Sequence, residues 1–104
     1  MEYNNIEVEL EINFYQDNDQ TALCLFDEEG QLVTILTTNI DFTDEDCVGI
    51  RSDDKKNVQW LYDQGLLETG EPAYGIPSGF ISIEFYQVSN QLREMIAEAK
   101  DRES

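Results

Sequence analysis

The side chains with chemistry to offer in this sequence are carboxylates, and little stands beside them. Of 104 residues, 23 are Asp or Glu, 6 are Lys or Arg and none is His, for a formal charge of −17. Histidine is the usual proton carrier near neutral pH and the commonest metal ligand, so most triads and zinc sites are excluded. Cys24 and Cys47 are the only thiols, and they lack CxxC spacing. They read as small buried apolar residues, with a redox switch or a disulfide between two copies as the other reading. So few cysteines point to a reducing cytosol.

The acids are unevenly placed. Residues 1–50 hold 13 of them (Glu2, Glu7, Glu9, Glu11, Asp17, Asp19, Asp27, Glu28, Glu29, Asp41, Asp44, Glu45 and Asp46), and all six cations lie at or beyond Arg51. Glu7, Glu9 and Glu11 alternate with Ile6, Val8, Leu10 and Ile12. On a strand they share one side at a spacing of about 6.5 Å. A row of negative charge at that pitch is comparable to a nucleic-acid backbone as a cationic groove meets it. Asp27, Glu28 and Glu29 on one loop, and Asp44, Glu45 and Asp46 on another, extend the field. One reading is a phosphate mimic that fills the Lys/Arg-lined channel of a basic nucleic-acid-binding protein. The other is an edge strand whose glutamates only keep its outer face wet and block aggregation. Tyr74, in a Pro/Gly-rich loop, is the candidate recognition tip, with a packed connecting loop as its plainer reading.

Other uses of carboxylates fit less well. Asp41, Asp44 and Asp46 miss the calcium-loop spacing and the glycine it requires. Paired acids for glycoside cleavage need a carbohydrate cleft, for which a chain this short has little room. No phosphate-cradling glycine motif occurs. Direct binding of nucleic acid or an anionic membrane through the chain's own cations is disfavoured by its charge. No apolar run approaches the roughly 20 residues of a membrane span. The expectation is a non-enzymatic binding protein with no catalytic residues, cofactor or metal.

The elements that position these residues follow from periodicity. Ile6 to Phe14 alternates apolar with polar, the mark of a half-buried strand. Thr21–Phe26 and Gln31–Ile40 read as a second and third strand joined through Asp27-Glu28-Glu29-Gly30, with Gly30 at positive φ. Cys47–Arg51 is a short fourth strand. Asn57–Gln64 reads as a short helix capped by Asn57 and ended by Gly65. Glu68–Gly79, with both prolines, reads as a loop. Phe80–Val88 is a fifth strand; Phe14, Phe26, Phe80, Phe85 and Trp60 are assigned to the core, and Tyr3, Tyr15, Tyr62, Tyr74 and Tyr86 to a contact surface. Ser89 caps a last helix whose Leu92, Met95, Ile96 and Ala99 form one apolar stripe. The class is α+β in one domain over residues 1–104: a mainly antiparallel sheet of four or five strands, a short central helix and a C-terminal helix.

The segments Ala22–Gly30, "NVQWLYDQGLL" and "GIPSGFISIEFYQV" carry a resemblance. Over about residues 20 to 88 the order of elements resembles a family of small uncharacterised acidic domains carried on plasmids, conjugative elements and prophages of Gram-positive bacteria. That setting includes anti-CRISPR and anti-restriction inhibitors. The resemblance therefore implies a counter-defence role in the bacterial host cytoplasm, with a Cas9-type nuclease as the candidate partner. It transfers no site residue. The alternative function is a homodimeric scaffold whose acidity serves solubility alone, pairing through Leu92, Met95 and Ile96 of the last helix.

Overall fold

A computed structural model describes residues 1–40 and 46–103. The class is α+β. β1 (Glu2–Tyr3), β2 (Ile6–Phe14), β3 (Thr21–Asp27) and β4 (Leu32–Ile35) form a four-stranded antiparallel sheet in that order. β5 (Cys47–Arg51), β6 (Tyr74–Ser78) and β7 (Ile81–Gln87) form a second antiparallel sheet, ordered β5-β7-β6. Helices α1 (Lys55–Asp63) and α2 (Asn90–Glu103) complete the fold. The sheets meet where the Thr38 N–H donates to the Gly49 carbonyl.

One apolar core draws on every layer. Val8, Ile12, Leu23 and Leu25 come from the first sheet, and Val48, Ile50, Tyr86 and Val88 from the second. Val58 and Leu61 of α1 and Leu92, Ile96 and Ala99 of α2 close it. Along β2, Val8 and Ile12 are buried while Glu7, Glu9 and Glu11 are exposed, as the sequence period demands, although Ile6 at the start of the strand is exposed too.

Several expectations require correction. The turn Asn4-Asn5, with φ of 49° and 66°, folds β1 back onto β2. Both central residues of a two-residue type I′ turn need positive φ, and asparagine tolerates it. The Glu68–Gly79 segment is not wholly loop, because β6 occupies its end. Pro77 is accommodated there since β6 is an edge strand whose outer side needs no N–H donor. Gly79, at φ 70°, opens the turn to β7 and leaves Phe80 fully in solvent, so Phe80 is not core. Tyr3 and Tyr86 are buried rather than at a contact surface.

The helix ends also differ in detail. Helix α1 begins at Lys55 behind Asp54, and Asn57 lies inside it, buried, accepting a 2.6 Å hydrogen bond from the Tyr3 hydroxyl. Gly65 does take the left-handed conformation, at φ 76°. Ser89 does cap α2, its Oγ accepting from the Leu92 N–H. Leu92, Ile96 and Ala99 are buried inside this chain, and Met95 is half-buried.

Candidate functional site

The acidic surface is assembled by two tight turns at one end of the first sheet. The Asn4-Asn5 turn sets Glu2 directly across the ladder from Glu7. Like charges at facing positions repel by a few tenths of a kcal/mol to about 1 kcal/mol. The Met1 ammonium, 3.1 Å from Glu7 Oε1, offsets part of that cost. Glu2 was not a candidate from sequence. The Asn-Asn pair just before an alternating run was the available signal for its hairpin.

The second turn joins β3 to β4. Asp27 Oδ1 accepts hydrogen bonds from the N–H groups of Glu29 and Gln31, both 2.9 Å, while the Gly30 N–H donates to the Asp27 carbonyl at 3.0 Å. Gly30 sits at φ 80°, where an L side chain would meet its own backbone. The Asp27 carboxylate therefore holds the loop, and Glu28 and Glu29 are left exposed. Ile6, Glu7, Asp27, Glu28 and Glu29 line one open depression. Strand alternation carries the charge onward from Glu7 to Glu9 and Glu11, both exposed.

The remaining candidates lie apart from this depression. Asp46 precedes β5 and accepts from Arg93 Nε of α2 at 3.2 Å. Tyr74, on β6, is stacked on Phe85 with ring centroids 4.8 Å apart. Asp44 and Glu45 fall outside the described residues. Among the described residues no group of three or more metal-ligating side chains comes together. No helix among them is long and apolar enough to cross a membrane.

The cations that do form ion pairs are engaged away from the Glu row. Arg51 forks onto Asp53 through Nε and Nη2 at 3.0 and 2.9 Å. That contact lowers the Asp53 carboxyl below its usual 3.8 and raises the guanidinium. Lys55 reaches Glu84 at 2.6 Å and the Tyr86 hydroxyl at 3.1 Å, and these hydrogen bonds raise its ammonium above the ordinary 10.5. No side-chain cation among the described residues forms an ion pair with Glu7, Glu9, Glu11, Glu28 or Glu29. Chemically, this surface can attract and align positive charge.

Comparison with protein-family models, with curated proteins and with solved structures returns no match.

Proposed function

We propose that this chain is a non-enzymatic acidic inhibitor that occupies the basic nucleic-acid-binding surface of a partner protein. The observation that carries the reading is the row of Glu7, Glu9 and Glu11, continued by Glu28 and Glu29 and without a side-chain counter-ion among the described residues. A rigid strand holds these charges at regular spacing, so little ordering entropy is lost when Lys and Arg meet them. The resemblance to mobile-element domains makes a Cas9-type nuclease the first partner to test, in an anti-CRISPR role that blocks guide or target access.

The test is a pull-down with such an effector and a cleavage assay across a salt series. Inhibition should fade as salt rises, because exposed charges are screened within about 10 Å at 0.1 M. Replacing Glu7, Glu9 and Glu11 together by Gln should weaken the complex about tenfold, near 0.5 kcal/mol per carboxylate. A complex indifferent to both changes would refute the proposal. A tight dimer by light scattering that hides the row would favour the scaffold alternative instead.

A further inference from the structure

The first sheet has a second face, and its register is specific. Glu9 lies across from Phe26, which lies across from Leu32. Glu11 lies across from Cys24, which lies across from Ile35. The same strands turn Val8, Ile12, Leu23 and Leu25 to the core, so this set points outward. Leu32 and Ile35 are 52% and 43% exposed, and Phe26 is half-buried. The outer face is thus a column of exposed carboxylates on β2 and exposed Leu32 and Ile35 on β4, with the half-buried Phe26 and the buried Cys24 of β3 between them. Both helices of the chain already spend their buried apolar residues on the core.

Resting on the reading above, we infer that this face seats an amphipathic basic helix of the partner protein. The helix lays its apolar stripe on Phe26, Leu32 and Ile35 and reaches Glu9 and Glu11 with Lys or Arg. The dimensions agree: neighbouring strands are about 4.8 Å apart, so β2 and β4 are separated by about 9.6 Å. A helix with its side chains is about 10 to 12 Å across and spans both columns at once. Lysine and arginine suit the boundary, since their aliphatic stems cover apolar surface while the heads meet carboxylates.

Two other occupants fit worse. A second copy would stack one Glu column against another in a chain of charge −17. A strand added to the edge of β4 would lie about 14 Å from β2, beyond easy reach of Glu9 and Glu11. The irregular register at Leu25/Phe26 also twists that short edge away from simple pairing.

The probes are two synthetic peptides of equal charge, a Leu/Lys helix with one apolar stripe and its scrambled, stripe-free counterpart. Titration calorimetry at about 0.15 M and about 0.5 M salt compares them against the wild type and three variants. The variants are Leu32→Ser/Ile35→Thr, Glu9→Gln/Glu11→Gln, and the control Glu68→Gln/Glu71→Gln. The striped helix should bind about tenfold tighter than the scrambled one and keep measurable binding at the higher salt. Each outer-face pair of substitutions should remove most of that advantage, and the control should not. Amide shifts of the wild-type protein on adding the striped peptide should cluster on β2, β3 and β4. Equal binding of both peptides, indifference to Leu32→Ser/Ile35→Thr, or shifts centred elsewhere would overturn the helix inference. If Glu9→Gln/Glu11→Gln still weakens both peptides, the acidic-interface reading survives that failure; if it does not, both fall.

Discussion

Removing one oxygen from the N-terminal hairpin gives a sharp test of how it is held. Tyr3 is buried, and its hydroxyl donates to Asn57 Oδ1 at 2.6 Å inside α1. Its ring meets Trp60 edge-on, with centroids 5.6 Å apart and planes at 82°, and Trp60 Nε1 donates to the Glu2 carbonyl at 2.7 Å. Tyr3→Phe keeps the ring and its packing but strands the buried Asn57 oxygen. The cost is that of an unsatisfied buried acceptor, about 1–3 kcal/mol, rather than the smaller net worth of a hydrogen bond. For a domain of this size that lowers Tm by about 4–8 °C per kcal/mol. Urea denaturation of Tyr3→Phe, Asn57→Leu and the double variant forms a closed cycle. The double variant should be less destabilised than the sum of the singles, by about 1 kcal/mol or more.

The pH arm has a definite sign. Burial, and secondarily the Asp54 carboxylate, raise the Tyr3 phenol above its ordinary 10.0 in the folded chain. The unfolded chain ionises first, so this contribution is complete below about pH 10 and declines as pH rises through the folded value. The raised Lys55 ammonium loses its contribution in the same direction. Tyr3→Phe should therefore flatten, without abolishing, the alkaline loss of stability. A Tyr3→Phe protein within about 0.3 kcal/mol of wild type, with an unchanged alkaline slope, would refute this account of the hairpin.

Other outcomes follow from burial and backbone geometry. Phe85→Ala should cost about 3–5 kcal/mol, whereas Phe80→Ser should stay within about 0.5 kcal/mol by chemical denaturation, since Phe85 is fully buried and Phe80 fully exposed. Gly30→Ala should destabilise by about 1 kcal/mol, the penalty for an L residue at its φ of 80°, measured as a shift in the urea midpoint. Cys24 and Cys47 are buried, so thiol labelling under native conditions should be slow and should accelerate with urea alongside opening; rapid native labelling would contradict this.

Much of the fold is legible in local pattern, for a local reason. Cβ atoms alternate along any strand, so Glu7, Glu9 and Glu11 had to share a side wherever that strand was placed. Gly65 and Ser89 mark helix boundaries because end groups of a helix need partners that lie within a few residues. What failed to show depends on neighbours distant in sequence. Pro77 is admissible in β6 only because that strand lies at an edge, and the same residue in β7 would break a ladder. Tyr3 is buried because Asn57 awaits it 54 positions later, and Lys55 is drawn to Glu84 across 29. Alternation likewise separates Glu9 and Glu11 from the core without saying what shares their face. Only the pairing of β2 with β3 and β3 with β4 sets Phe26, Leu32 and Ile35 beside them, because strand register is decided by the whole core that the opposite faces bury.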